Sequence, residues 1–193
     1  MKKTLAGLQL MLFAWLLSLN ANAQSVTFFS NLGPSGNVYN CCAGWVVSGT
    51  GYVGTSYTQA RLFTSKATGS VSEIDLGVTY VDGENSFYAA IYTDNHGLPG
   101  TLLSRWDNLS SSQNIGGCCA LVTIGGISGL TLTAGQNYFM VLGPMSVDDS
   151  SFLTWALNTT NDVGGELLST NGGTTWGANP STSLLGAFDI LGQ

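Results

Sequence analysis

Short runs of alternating apolar and polar residues recur along most of the chain and predict β-strands. The clearest run spans residues 71–81, where Ile74, Leu76 and Val78 alternate with polar or small residues. A period of two with one polar face is typical of a half-buried strand. Residues 137–142 are apolar on both faces and predict a central strand.

Turn residues separate these runs at short and regular intervals. Gly, Asn, Asp, Ser and Pro cluster between strands, roughly every 8–12 residues, which is the pattern of a sandwich or barrel. We find no helical periodicity after the first 23 residues. The sequence therefore predicts an all-β chain, a single antiparallel β-sandwich of jelly-roll type with about a dozen short strands.

The centre of the chain predicts a buried strand at residues 86–93 with turns on both sides. The Asp-Gly dipeptide at 82–83 is a hairpin signal, so we expect this strand to pair with the one at residues 71–81. The polar residues at 93–97 and the Pro-Gly dipeptide at 99–100 predict two turns after it.

The first 23 residues have the pattern of a secretory signal peptide. Lys2 and Lys3 precede a mostly apolar run, and Ala21-Asn22-Ala23 is a small-x-small cleavage site. The apolar run is short for a membrane span of about 20 residues. We expect residues 1–23 to be removed and residues 24–193 to form one exported domain, without membrane insertion. Its expected location is extracellular or the cell surface, with the periplasm as the alternative.

Charge narrows the class of partners. Removing Lys2 and Lys3 with the leader changes the formal net charge from −6 to −8 and leaves three basic residues. A surface this poor in Lys and Arg cannot neutralise phosphates, so nucleic acid is excluded as a partner. Anionic membrane surfaces are disfavoured for the same reason.

The four cysteines form two adjacent pairs, Cys41-Cys42 and Cys118-Cys119. Export favours disulfides, and four cysteines allow three connectivities. We expect cross-links between the two pairs, with both pairs in loops, because neighbouring strand residues point to opposite faces. Two vicinal bridges and a zinc site are the alternatives, although zinc ligands usually have two to four residues between paired cysteines.

Residues 169–176 read STNGGTTW and resemble the Asp-box of sialidases and other β-propellers, S-x-D-x-G-x-T-W. Ser169, Gly173, Thr175 and Trp176 match, and Asn171 stands in the Asp position. The Asn side chain can cap backbone N–H groups of the turn, and the Trp can pack under the hairpin. Because the motif occurs once, we interpret it as a local hairpin and not as a propeller blade.

A wider resemblance covers most of the chain after the leader. The segments AAIYTDNHGLPGTLLS, LTLTAGQNYFMVLG and STNGGTTW are similar to the bacterial exported "choice-of-anchor" β-sandwich domains often found with a PEP-CTERM sorting tail. The resemblance implies a sandwich fold and an extracellular location. Here we expect no sorting tail, and the family implies no particular chemistry.

Candidate chemistry in the polar residues is sparse. Asp and Asn in turns could offer oxygen ligands to calcium, with Asp94-Asn95, Asp148-Asp149 and Asn161-Asp162 as candidates. His96 is the single histidine, and we interpret it as an exposed turn residue. The acidic residues Glu73, Asp75, Asp82, Glu84 and Asp94 could supply a glycosidase pair, but Glu73 and Asp75 share the polar face of one strand, which is explained more simply as a solvated face.

These observations predict a binding module more readily than an enzyme. We expect no catalytic residues and no cofactor other than calcium. The hypothesis is a secreted, non-enzymatic module that binds polysaccharide or contributes to the extracellular matrix. Sugar rings could stack on its aromatic residues, Trp45, Trp106, Trp155, Trp176, Tyr39, Tyr52 and Tyr57. The alternatives are a self-associating structural or adhesive surface protein and a small glycan hydrolase.

Overall fold

The computed structural model describes residues 25–193, apart from the side chains of residues 179–181. The described residues form fourteen β-strands and one short helical turn, so the predicted all-β fold is confirmed. The predicted signal peptide at residues 1–23 lies outside the described residues. Within residues 25–193 there is no helix long and apolar enough to span a membrane.

The strands follow one another with mostly short connections, and every pairing between them is antiparallel. They are β1 (Val26–Ser30), β2 (Tyr39–Ser48), β3 (Thr58–Thr64), β4 (Gly69–Leu76), β5 (Val78–Gly83), β6 (Phe87–Asn95), β7 (Leu98–Leu109), β8 (Val122–Gly125), β9 (Thr131–Leu132), β10 (Asn137–Gly143), β11 (Ser151–Asn158), β12 (Val163–Ser169), β13 (Gly177–Leu184) and β14 (Phe188–Gly192). The helical turn α1 (Thr50–Val53) lies between β2 and β3.

These strands form three sheets around one main core. The six-stranded sheet has the order β13-β12-β3-β10-β6-β7, the five-stranded sheet has β1-β14-β4-β8 with β9 also on β4, and the three-stranded sheet has β2-β11-β5. Side chains from all three sheets share the core, among them Met140, Trp155 and Phe188. The six-stranded sheet therefore packs against the other two, which is the predicted sandwich.

The six-stranded sheet is apolar on its second face as well. Phe139 and Val141 on β10 lie there with Ala60 and Ala90 from the two neighbouring strands. Because side chains alternate between faces, the next residue, Met140, points into the main core. The prediction of a central strand at residues 137–142 is confirmed, since β10 lies between β3 and β6.

The single strand predicted at residues 71–81 is wrong, because the chain changes sheets at Gly77. The segment before it is β4 in the five-stranded sheet, and the segment after it is β5 in the three-stranded sheet. The Gly77 N–H donates to Ala187 O at 2.9 Å, and its carbonyl accepts the Ala156 N–H at 2.8 Å. A Cβ at this position would lie 2.9 Å from the Tyr39 ring, so the crossing point requires glycine.

The predicted pairing of the strands on either side of residues 82–83 is also wrong. β5 pairs with β11, and β6 lies between β10 and β7. The chain after Gly83 passes from the three-stranded to the six-stranded sheet instead of turning back. The following turn is made by His96 and Gly97, whose φ values are 54° and 86°, and the Pro99-Gly100 dipeptide lies inside β7.

Two strands near the C-terminus differ from what the sequence pattern predicts. The pattern predicts that the second strand of the hairpin after β12 spans residues 174–176, but this strand, β13, begins at Gly177. The apolar run LLGAFDIL at residues 184–191 predicts one last strand, but it is divided between the end of β13 and β14. Residues 185–187 between them supply backbone carbonyls to the interior, as described below.

Candidate functional site

A cleft of about 250 Å³ opens where β2, the start of β3 and β12 meet. Its walls are mostly apolar, and the polar side chains Gln59 and Glu166 lie at its base. Trp45 and Tyr57 are partly exposed there. The full lining is Gly44, Trp45, Val46, Tyr57, Gln59, Glu166 and Leu168.

Strand register places these side chains together. Gln59 on β3 is directly opposite Leu168 on β12, and Arg61 is directly opposite Glu166. Cross-strand partners share a face of the sheet, so all four side chains point toward the three-stranded sheet, on the side of its strand β2.

Beneath the cleft lies a fully buried ion pair. Arg61 Nη2 and Glu166 Oε1 are 2.6 Å apart, and both side chains are 0% exposed. The guanidinium carbon of Arg61 is 4.7 Å from the centroid of the Trp45 ring and 5.5 Å from that of Trp155. Burial lowers the pKa of Arg61 well below its usual range. The pair and the two rings form one compact polar and aromatic unit.

Several polar atoms at the base of the cleft have no hydrogen-bond partner among the described residues. Gln59 Nε2 donates to Val46 O at 2.6 Å, but no described group donates a hydrogen bond to Gln59 Oε1 or to Glu166 Oε2. Arg61 Nε and Nη1 likewise have no described acceptor. Unpaired polar groups cost free energy when they are buried. The base of the cleft therefore has donors and acceptors that are free to bond to a further polar group.

The indole of Trp45 is held in place by the end of β13, and the segment that follows holds Trp155. Its Nε1 donates to Leu184 O at 2.9 Å, and Trp155 Nε1 donates to Ala187 O at 3.1 Å. Asn158 Nδ2 donates to Leu185 O at 2.9 Å, which fixes the segment in turn. A Cβ at Gly186 would collide with the Trp155 ring. The cleft wall is therefore preorganised by hydrogen bonds.

The STNGGTTW hairpin has the local geometry of a capped turn. Asn171 Oδ1 accepts the Thr175 N–H at 2.9 Å, and Asn171 Nδ2 donates to Thr175 Oγ1 at 2.9 Å. Ser169 Oγ accepts the Gly173 N–H at 2.8 Å. Trp176 packs against the apolar cluster on the second face of the six-stranded sheet. The hairpin leads from β12 to β13, and its polar atoms are used by the turn itself.

Three of the four cysteines come together, and the fourth does not. Cys41 and Cys119 both lie at bonding distance from Cys118, whereas Cys42 is free and exposed. The link between Cys41 and Cys118 joins the two segments, as expected, but the second expected cross-link between the pairs is not formed, because Cys42 is free. The expected location in loops is wrong for the first pair, because Cys41 and Cys42 lie inside β2 and point to opposite faces. This geometry separates Cys42 from the other three sulfurs.

The calcium candidates are engaged in turn hydrogen bonds. Asp94 Oδ1 accepts the Gly97 N–H at 2.7 Å, and Asn95 pairs with Leu98 at the end of the hairpin. Asp149 Oδ1 accepts the Ser151 N–H at 3.0 Å. Asp148 Oδ1 accepts the Ser146 hydroxyl at 2.9 Å. Within residues 25–193, the sulfurs of Cys41, Cys118 and Cys119 are the one group of three or more His, Cys, Asp or Glu ligands close enough for a shared ion.

The remaining polar candidates lie apart from the cleft. His96 is exposed in its turn. Asp75 on β4 accepts the Thr123 hydroxyl at 2.5 Å. Asp82 accepts the Tyr52 hydroxyl at 2.6 Å, and this bond, with the Gly83 N–H, lowers the pKa of Asp82. Glu73 and Glu84 do not line the cleft either.

The aromatic candidates divide by exposure. Trp155 and Tyr39 are buried, and Tyr39 donates its hydroxyl proton to Ala120 O at 2.8 Å. Trp106 and Trp176 are partly exposed outside the cleft. Tyr52 is exposed on α1 and stacks on Phe152.

Sequence reasoning missed Gln59, Arg61 and Glu166. The alternation in β3 places Gln59 and Arg61 on the same side as Phe63, but polar side chains suggest a solvated face. A signal was present, since Arg61 is one of three basic residues after the leader. Its acidic partner lies on a strand far away in the sequence, so the pairing was not visible.

Two comparisons with known proteins give no relative for this chain. No protein-family model matches it, and no curated protein matches it.

Proposed function

We propose that this chain is an exported, non-enzymatic module that binds polysaccharide through the cleft walled by Trp45 and Tyr57. The observation that supports it is the placement of two partly exposed aromatic rings on one mostly apolar cleft. Sugar rings present C–H faces that pack on aromatic rings, and their hydroxyls need polar partners nearby. Because Trp45 is anchored to Leu184 O, little ordering is required on binding.

Binding is favoured over hydrolysis by the carboxylates around the cleft. Glu166 is the single acidic residue in the lining, and it is held in the buried ion pair with Arg61. Glycosidases of the common types use two carboxyl groups, about 5–9.5 Å apart across the scissile bond. The cleft therefore suits retention of a glycan better than its cleavage.

The proposed setting is outside the cytoplasm. The leader pattern at residues 1–23 and the net charge of −8 that remains after its removal support export and a neutral partner. The resemblance to choice-of-anchor domains supports a location in the surface layer or the extracellular matrix.

Affinity electrophoresis of residues 24–193 in gels containing neutral or anionic polysaccharides tests the proposal. We expect retardation by at least one neutral polymer, and at least a tenfold loss of affinity, about 1.4 kcal/mol, for Tyr57→Ala. Tyr52→Ala is the matched control, because Tyr52 is an exposed aromatic residue outside the cleft. Adding calcium or a chelator tests the role of the metal in the same gels.

Two outcomes would contradict the proposal. No retardation on any polymer, together with concentration-dependent assembly in sedimentation, favours a self-associating structural protein. Release of reducing sugar favours a hydrolase.

A further inference from the structure

The sulfurs of Cys41, Cys118 and Cys119 form a compact cluster with more sulfurs than one bridge can use. All three lie within 4.8 Å of one another, and Cys41 Sγ is 3.7 Å from Cys119 Sγ. Cys118 is bridged to Cys41, and the third sulfur, on Cys119, lies beside that bridge. A sulfur atom forms one disulfide at a time, so the oxidised cluster holds one bridge and one thiol.

We propose that this cluster is a thiol–disulfide exchange site in which Cys118 passes its bond between Cys41 and Cys119. In the exchange, the Cys119 thiolate attacks Cys118 Sγ, a Cys118–Cys119 bond forms, and Cys41 leaves as a thiolate that takes up a proton. One S–S bond breaks and one forms, so neither an oxidant nor a reductant is consumed. The reaction opens the covalent link between β2 and the segment before β8.

The local hydrogen bonds keep the sulfurs within reach when that link opens. The Gly116 N–H donates to Cys41 O at 2.7 Å, and the Tyr39 hydroxyl donates to Ala120 O at 2.8 Å. Both bonds join β2 to the segment that carries Cys118 and Cys119 without using a sulfur. The opened form is therefore expected to close again by the reverse attack.

The exposure of the three cysteines indicates where a thiol from solution can attack. Cys118 is exposed, whereas Cys41 and Cys119 are partly buried. A small thiol can attack Cys118 Sγ and release Cys41, and Cys119 can then displace that thiol from Cys118. The substrate class is a low-molecular-weight thiol, and Cys42, on the opposite face of β2, takes no part.

Thiol counting and peptide mapping of the oxidised chain test the exchange. After denaturation and alkylation without reduction, we expect two free thiols per chain, and digestion should give both Cys41–Cys118 and Cys118–Cys119 linked peptides. Incubation with glutathione followed by acid quenching should leave glutathione bound to Cys118 in a fraction of the chains, which peptide mapping detects. In Cys119→Ser the Cys118–Cys119 species disappears and the Cys41–Cys118 species remains. Cys42→Ser is the control and should lose one thiol while keeping both species.

Specific results would overturn the proposal. A chain with no free thiol has two bridges and uses Cys42. A wild-type chain with the Cys41–Cys118 link alone, unchanged by glutathione, has a fixed cross-link. If Cys119→Ser folds poorly, these wild-type measurements still decide between exchange and a fixed bridge.

Discussion

Trp45 and Trp155 are direct partners across β2 and β11, yet one walls a cleft and the other is fully buried. Both donate their indole N–H to a carbonyl in residues 184–187, and both lie over Arg61. Their local chemistry is therefore nearly the same. The difference arises from their neighbours in the fold.

The central strand encloses its tryptophan, and the edge strand does not. β11 lies in the middle of the three-stranded sheet, and Trp155 packs against Phe188 with ring centroids 5.7 Å apart. β2 is an edge strand of that sheet, and the cleft opens beside it. The comparison shows that an edge position can leave a core-type side chain partly exposed without changing its anchoring.

Truncation of the two tryptophans gives the largest expected contrast. Trp155→Ala should destabilise the fold by about 3–5 kcal/mol, because it leaves a large cavity in the core. Trp45→Ala should cost about 2 kcal/mol, because its ring is already partly in contact with water, but it should abolish retardation on polysaccharide. Urea unfolding and affinity electrophoresis measure the two effects. Equal destabilisation by both changes would mean that Trp45 is core and would contradict the comparison.

Breaking the ion pair beneath the two tryptophan rings should destabilise the fold about as much as Trp155→Ala or slightly less. Glu166→Gln should cost about 3 kcal/mol, since it leaves the buried Arg61 charge uncompensated while the amide still accepts one hydrogen bond. The double change Arg61→Met with Glu166→Leu should recover most of this loss, because apolar pairs can replace buried ion pairs. Urea midpoints of the wild type, single and double variants check it. A double variant less stable than Glu166→Gln would show that the pair is favourable in itself.

The smallest expected effect on stability concerns Asp189 on β14. It lies next to Phe188, which packs against the buried Trp155. Burial raises the pKa of Asp189, with a smaller contribution from the Asp75 charge, and its Oδ1 has no hydrogen-bond partner among the described residues. A raised folded-state pKa means that this group's stabilising contribution is complete below its unfolded value, about 4, and is lost as pH rises through the folded value.

Asp189→Asn should therefore lose less stability than the wild type between about pH 4 and about pH 8. Urea midpoints at the two pH values measure the difference. Asp148→Asn, in an exposed loop, serves as the control and should follow the wild type. A wild-type chain that gains as much stability over this range as Asp189→Asn would refute the assignment.

The prediction from sequence succeeded where local pattern decides the outcome. The alternation around Ile74 and the turn signal at Gly173 correspond to observed strands and a hairpin. The prediction from sequence failed for the pairing between strands. The segment ending at Gly83 pairs with β11 and not with the next strand, because the chain crosses between layers. The sequence indicates Trp45 and Tyr57 as aromatic candidates, but nothing local indicates that they line the same cleft.

The sequence by itself determined an all-β chain, some of its turns and which residues share a side of each strand, since these follow from backbone preferences and a two-residue period. The tertiary structure decided which side of β3 faces inward. Arg61 and Gln59 suggest a solvated face, and they are buried because Glu166 and the rings of Trp45 and Trp155 meet them from distant strands. Burying a charge is favourable only when its partner is in place. The chain pattern fixes neighbours along a strand, whereas partners across strands are set by packing of the whole sandwich.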